Sequence, residues 1–431
     1  MLHREQQQRQ TQFARIAKKA QDNPTEQFTS LAHYLTEEFL IHSFRKLRKS
    51  AASGIDGKTC HDYELNLLKS IDHLHSQLRE GKYKAPNIRR TWIDKGAGKK
   101  RPLGISTVED KIVQRAVTDI LSTIYEQDFY NFSYGYRPKR SAHKALREVH
   151  SECMNRRIKY VLDADIQGCF DNFDHKIMRQ LLERRIKDKS LMRLINCWLK
   201  VGIIDGDVLQ FNAKGTPQGN IISPLLCNIY LHYVLDTWIV EQVKPLMKGK
   251  IFIVRYADDF IIGFENKEDA QRVNQTLPKR MIKYGLTIHP EKTKLVEFNP
   301  WMQGKTPTID FLGFTHYWTK SQKGVFVIKR RTTKKGLRKG ILKIEECCKT
   351  NRHSRLKIQH RKLREVLQGL YQYYGIRSNF NTLKRFYHKA QTRWFYWLNK
   401  RSQTNSYLWK GYKDLLKYFV LPRPKILHKN V

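Results

Sequence analysis

Ile251-Phe252-Ile253-Val254-Arg255-Tyr256-Ala257-Asp258-Asp259-Phe260-Ile261-Ile262-Gly263-Phe264 decides how this chain is read, because two adjacent carboxylates stand between two runs of strand-forming residues. The pattern predicts a β-hairpin with Asp258 and Asp259 at the bend. Its flanks are almost continuously apolar, as in strands covered on both faces, and a buried hairpin holds its acids on a stiff support at a cleft edge. Side by side the acids repel, so something positive should offset them, and Mg²⁺, with its preference for carboxylate and phosphate oxygens, is the leading candidate. Asp is also common in solvated turns, so the pair alone does not decide the matter.

A second acidic strand upstream changes the balance. Tyr160-Val161-Leu162-Asp163-Ala164-Asp165-Ile166 runs into Gln167-Gly168-Cys169-Phe170-Asp171. Strand parity puts Asp163 and Asp165 on one side with Val161, and Leu162, Ala164 and Ile166 on the other. If this strand lies beside the hairpin, Asp165 and Asp258 can clamp two metal ions roughly 3.5–4 Å apart, the arrangement that stabilises attacking and leaving oxygens in phosphoryl transfer.

The composition names the partner class. Over 431 residues, 81 Lys and Arg face 40 Asp and Glu, a formal net charge of +41, and 40% hydrophobic content suffices for two or three cored domains. Self-repulsion at that level disfavours a compact state unless a polyanion neutralises it, so nucleic acid is the expected partner, with affinity falling steeply in salt. The seven cysteines form no C-x-x-C pair and no zinc spacing, and read as reduced thiols. With no apolar run long enough to span a membrane and no signal-like N-terminus, the expected location is the cytoplasm, without a membrane partner.

Elsewhere the chain alternates helical and strand patterns. Residues 1–24 read as polar and frayed or loosely helical, Leu31, Leu35, Phe39 and Phe44 as one or two helices, and residues 62–80 as a further helix. A strand at 89–93 leads into the Gly- and Lys-rich hairpin 95–105, whose backbone can approach phosphates. Ser106-Thr107-Val108-Glu109 reads as a capping box opening a helix with the core face Val113, Ala116, Val117, Ile120, Leu121 and Ile124. The aromatic run 129–138 can stack on bases or pack under a loop. Gly215-Thr216-Pro217-Gln218-Gly219 leads into a helix with Ser223 as N-cap, placing Gln218 to touch a nucleotide through its amide. Strands are expected at 295–298, 309–316 and 324–328, and Gly313 among bulky neighbours permits close approach of a primer strand. Beyond residue 329 the pattern is all-helical and basic, and Arg385, Lys389 and Arg393 are candidates for phosphate contact.

The ordered set Asp165 in Asp-Ile-Gln-Gly-Cys-Phe-Asp, the Gly-Thr-Pro-Gln-Gly loop with Ser223-Pro224, Tyr256-Ala257-Asp258-Asp259 and Phe311-Leu312-Gly313-Phe314 resembles a reverse transcriptase. The resemblance is strongest to those encoded by bacterial group II introns, which are also maturases, and Ser133-Tyr134-Gly135-Tyr136-Arg137-Pro138 and Arg101-Pro102-Leu103-Gly104-Ile105 fit the same group. It implies an α+β right-hand polymerase. Residues 1–40 would be an N-terminal extension, 41–328 fingers and palm, and 329–431 a helical thumb and RNA-binding maturase domain with a short basic tail. Asp165, Asp258 and Asp259 would be the palm carboxylates, with Asp165 and Asp258 as direct ligands of two Mg²⁺ ions, replaceable by Mn²⁺, and Ile166 and Asp259 completing the metal set. Phe170 would exclude a ribose 2′-hydroxyl, Gln218 would lie against the incoming nucleotide, and Arg101 with Lys99 would hold its triphosphate. Lys292 and Gly313 would lie along the nucleic acid.

The implied partners are an RNA template, a DNA primer, deoxynucleoside triphosphates and the group II intron RNA. Cys169 stands where relatives carry an aromatic, which bears on local packing. The absence of a Cys-pair and His cluster after the thumb suggests a form without the DNA endonuclease domain. The competing readings are a reverse transcriptase adopted by its host for defence or repair, and an RNA-binding splicing factor with secondary polymerase activity. A pure binder gains nothing from clustered acids near its RNA.

Overall fold

The computed structural model describes residues 2–94, 100–155, 157–206, 208–211, 214–301, 307–404 and 406–429. The chain begins with α1 (Leu2–Asp22), α2 (Glu37–Arg45), α3 (Cys60–Leu65) and α4 (Leu67–Arg79), then β1 (Ile88–Asp94), β2 (Lys100–Ile105) and the long α5 (Val108–Asp128). The predicted stripe of α5 is fully buried from Val113 to Ile124, and α1 and α2 lie against it. The N-terminal segment is therefore not frayed. Ile16 and Ala20 of α1 are buried, and the Arg185 guanidinium donates to the carbonyls of Ala20, Asn23 and Glu26 at 3.0, 2.8 and 3.1 Å. Residues 62–80 form two helices rather than one, because the backbone breaks helical geometry at Asn66.

The expected capping box also shifts by one residue. Thr107, not Ser106, caps α5 by accepting from the Asp110 N–H, while the Ser106 hydroxyl donates to Asn220 at 2.8 Å. Asp110 is then drawn inward, accepting from Tyr83, Trp198 and Gln114.

The chain continues through α6 (Ala142–Asn155), β3 (Tyr160–Asp165), α7 (Cys169–Asn172), α8 (His175–Glu183), α9 (Lys189–Lys200), β4 (Gly202–Asp205), β5 (Val208–Phe211) and α10 (Ser223–Leu231). Ser223 is not an N-cap; Ile222 holds that position, and the Ser223 hydroxyl donates to the Pro217 carbonyl at 3.2 Å and meets Thr216 at 2.8 Å. After α10 the helical path widens into π turns at His232–Asp236 and Trp238–Val243. Next come β6 (Ile251–Tyr256), β7 (Asp259–Phe264), α11 (Lys267–Lys283), β8 (Lys294–Glu297), β9 (Thr308–Phe311), β10 (Phe314–Lys320) and β11 (Phe326–Thr332). The strand expected over 309–316 is thus a hairpin folded at Leu312-Gly313, whose positive φ values of 47° and 77° make a two-residue turn. The expected boundary at 328/329 falls inside β11, which stays paired with β10 to Thr332. The helical part, α12 (Lys334–Thr350), α13 (Leu356–Tyr374), α14 (Phe380–Leu398) and α15 (Trp409–Tyr418), begins after it.

The described residues form an α+β fold with three sheets, ordered β2-β1-β4-β5, β6-β7-β3-β8 and β11-β10-β9. The middle one is antiparallel throughout and separates two cores. Leu162, Ala164, Ile251, Ile253, Phe260 and Ile262 point into the larger, with α5 and α10, while Val161, Phe252, Val254 and Ile261 join α6, β9 and β10 in the smaller. That two-sided burial is why these strands read as continuous apolar runs. The C-terminal helices have a core of their own around Leu367, Phe386 and Trp394. Among the described residues no helix is long and apolar enough to cross a membrane, and the seven cysteines are free.

Phe252 lies directly across from Gly263, and a Cβ at Gly263 would meet its ring at 2.0 Å. Gly263→Ala is therefore expected to destabilise the protein by about 1–3 kcal/mol through overpacking. Adding Phe252→Leu should recover part of that loss in urea unfolding.

Candidate active site

The hairpin turn consists of Ala257 and Asp258, with Tyr256 paired to Asp259 across it. In the neighbouring register Asp165, the last residue of β3, lies opposite Asp259, the first of β7. Two chain segments distant in sequence thus deliver Asp165, Asp258 and Asp259 to one end of the sheet. The Ile166 N–H donates to the Asp258 carbonyl at 3.3 Å, and on the other flank the His289 N–H donates to the Asp165 carbonyl at 2.8 Å. The Ile166 side chain is buried in the core, so only its main chain adjoins the acids.

Ala257 adopts φ 58°, strained for a residue with a Cβ, and its surroundings hold it there. The Arg255 side chain is wholly buried. It binds both oxygens of buried Asp236 at 2.8 and 2.6 Å, and donates to Asn228 at 3.0 Å and to the Ala257 carbonyl at 3.1 Å. Asn228 in turn donates to the Gly135 carbonyl at 2.8 Å, and a Cβ at Gly135 would stand 2.3 Å from the Ala257 nitrogen. Ser133 bridges to Arg255, covering the outer edge of β6. Arg255, Asp236 and Asn228 had no role in the sequence reading, and Gly135 entered it only as part of a motif. The available signal was parity: Arg255 shares the inward side of Ile251 and Ile253, where a lone cation requires a buried partner.

The acids strain against one another. Burial, then the charges of Asp163, Asp165 and Asp258, pushes the Asp259 carboxyl up to about 8 against the weaker pull of Lys292. Asp258 is also raised, by burial and by Asp165, with Arg101 and Lys292 opposing. Asp163, one layer deeper, reaches about 7 through burial, Asp310 and Asp165. Lys292 answers part of this charge, its Nζ lying 2.8 Å from Asp165 Oδ2. No group of three or more His, Cys, Asp or Glu among the described residues is already gathered as a metal cage. The donor set fits a divalent cation nonetheless, because half-buried carboxylates outnumber the cations that offset them.

Beside the acids, the Arg101 Nε donates to the Gln218 Oε1 at 2.5 Å, and the Gln218 Nε2 donates to Asp171 at 2.6 Å. The Gly104 N–H donates to the Gln218 carbonyl at 2.6 Å, which locks the Gly-Thr-Pro-Gln-Gly loop onto β2. Phe170 meets exposed Tyr136 edge to face at 6.3 Å. Of the aromatic run, Phe129 and Tyr134 are instead buried as packing. Cys169 is buried against Cys227, Sγ to Sγ 3.1 Å. Lys99 lies outside the described residues. Gly313 sits in the β9–β10 turn, where Tyr373 donates to the Leu312 carbonyl at 2.8 Å. Arg385, Lys389 and Arg393 lie four residues apart along the outer side of α14, away from its buried stripe and not beside the acids.

Residues 93–316 match the family model described as reverse transcriptase (RNA-dependent DNA polymerase). The chain is 30% identical to the group II intron-encoded protein LtrA of Lactococcus lactis subsp. cremoris, over 86% of this chain and 74% of that protein. The chain belongs to the group II intron reverse transcriptases. This reverse transcriptase is also 35% identical to protein YkfC of Escherichia coli strain K12, over 58% of the chain and 74% of that protein. It is 22% identical to nuclear intron maturase 3, mitochondrial, of Arabidopsis thaliana, over 70% of the chain and 44% of that protein.

Two measurements test the site of this reverse transcriptase. Arg255→Ala leaves Asp236 buried and unpaired, and should cost about 3–5 kcal/mol in urea unfolding. Arg255→Met with Asp236→Leu should restore most of that stability while primer extension stays low, because the Ala257 carbonyl has lost its donor. In the absence of divalent ions, the proton that folded Asp259 keeps up to about pH 8 is lost by the unfolded chain near pH 4. Stability contributed there falls as pH rises between those limits. Asp259→Asn should therefore gain in melting temperature over the wild type from pH 5 to pH 8, a gap that added Mg²⁺ narrows.

Proposed function

We propose that this reverse transcriptase copies RNA into DNA at the end of β3 and β7, with Asp165, Asp258 and Asp259 holding two Mg²⁺ ions for which Mn²⁺ can substitute. The reading is carried by one observation, three carboxylates from separate segments crowded at one sheet end and left short of positive charge. When bound, the divalent ions supply positive charge that favours the primer 3′-alkoxide and offsets charge on the leaving phosphate.

The chain's own residues do the rest. Arg101 faces the Asp258 side of the cleft and offers its guanidinium to the triphosphate of a deoxynucleotide, with Lys99 as its companion. Gln218, held between Arg101 and Asp171, presents its amide to the nucleotide. Phe170 packs under the sugar and, backed by Tyr136, leaves no room for a 2′-hydroxyl. Lys292 steadies Asp165, and the tight turn at Gly313 lets a primer backbone come close. Fingers and palm occupy residues 41–332 and the helical thumb starts at 334, in keeping with where β11 ends.

Arg385, Lys389 and Arg393 hold phosphates of the group II intron RNA, so that the same chain assists splicing and mobility as a maturase. The likeness to a group II intron-encoded protein supports this over a role adopted by the host.

Asp258→Ala should lower Mg²⁺-dependent primer extension on an RNA template by at least about a hundredfold while the melting temperature holds. Unchanged extension in a folded variant would overturn the polymerase site. Phe170→Val should reduce discrimination against ribonucleotides by roughly tenfold or more, read as the ratio of kcat/KM for the two sugars.

A further inference from the structure

The far end of α14 and the start of α15 frame a groove of about 630 Å³ lined by Lys389, Arg393, Tyr396, Lys400, Leu408 and Trp409. Neither Asp nor Glu lines it. Phe395 and Tyr407 pack on the helical core, but two of its rings stay open, Tyr396 at 43% and Trp409 at 44% exposure, and Leu408 is 79% exposed. The Arg393 guanidinium and Lys400 ammonium each lie 5.9 Å from the Tyr396 ring centroid, the outer limit of a cation–π contact, so the ring face is approached but not sealed.

The walls are preformed. Phe395 holds Trp409 edge to face at 4.9 Å. Asn399 and Tyr407 exchange two hydrogen bonds at 2.9 and 2.8 Å, pinning the chain between the helices. Glu345 accepts from the Arg393 Nε at 2.8 Å and orients that guanidinium. Flat aromatic faces among fixed cations suit a stacked base with phosphates on either side, and rigid walls reduce the entropy lost on binding.

Position separates this groove from the polymerase cleft. The helical part is tied to the palm at Asn379, which bonds Thr332 of β11 at 3.0 and 2.8 Å. At 1.5 Å per residue, Tyr396 lies roughly 25 Å along α14 from that junction. Another groove, about 510 Å³ between α8 and α9, is also basic but has no aromatic among its lining residues.

We propose that the groove at the α14–α15 end is a pocket for an unpaired nucleotide of RNA, its base against Tyr396 and Trp409 and its flanking phosphates on Lys389, Arg393 and Lys400. The inference deepens the intron-RNA reading and rests on it. It adds that this end of the thumb recognises single-stranded positions, such as a bulge or loop, through stacking rather than duplex through charge alone.

The test uses the full chain, saturated with unlabelled DNA-primed RNA template so that the cleft is filled. Binding of a short fluorescein-labelled oligouridylate is then followed by anisotropy. Tyr396→Ala should weaken binding about tenfold, the loss of one base–aromatic stack, and Tyr396→Phe should restore it. Lys400→Ala should lower the slope of log affinity against log salt by about one unit. Extension of a short primer on a short template should stay unchanged in all three variants.

Wild-type binding by Tyr396→Ala would overturn the pocket, as would equal displacement of the oligonucleotide by poly-glutamate, which marks an acidic-protein surface. A parallel loss of extension in Tyr396→Ala would place the groove on the primer–template path and overturn it as a separate site. Failure of the wild type to extend a primer would instead count against the polymerase reading, independently of these results.

Discussion

Three mutually repelling carboxylates stay together at one sheet end because hydrogen-bonded register and a buried ion pair leave them no route apart. Asp165 and Asp259 are locked opposite each other by the β3–β7 ladder, and Asp258 rides on a turn whose carbonyl is held by Arg255. The Arg255–Asp236 pair is enclosed in the core, where it is worth little as net stability but a great deal as geometry. Without it the left-handed Ala257 has less reason to persist.

The electrostatic contrast within the molecule follows from that frame. A chain with a formal charge of +41 gathers acids at one place and leaves Arg101, Lys292 and Lys294 as the cations that oppose them there. The surrounding positive potential suits a polyanion, and the acidic centre is a place whose charge suits a divalent cation. Lys292, bonded to Asp165, holds part of that positive charge.

The helical part is joined to this centre through few but specific contacts. Tyr373 at the end of α13 donates to the Leu312 carbonyl beside Gly313, and Asn379 bonds Thr332 where β11 ends. The helical part, with its own core and tied to the β9–β10 turn, keeps its register to the sheets while leaving the outer sides of its helices exposed.

Much of this was legible in the sequence because strand parity and apolar continuity are local properties. The continuous runs around Asp258 and Asp259 required a sheet covered on both faces, and the parity of Asp163 and Asp165 required a common acidic side. Local signals misled where a polar side chain had a distant partner. Ser106 left its cap for Asn220, Ser223 turned to Pro217, and α1 was held by Arg185 from far along the chain. Nor could periodicity find the turn at Leu312-Gly313, since a tight hairpin between apolar strands reads as one strand.

By itself the sequence determined the family, the α+β fold class and which strands carry the acids, because those depend on residue type and spacing. Only the tertiary structure decided that Asp165 stands opposite Asp259, that Arg255 braces the turn and that aromatics at the end of α14 stay open to solvent. These depend on contacts between segments far apart in the chain, whose energies no local pattern encodes.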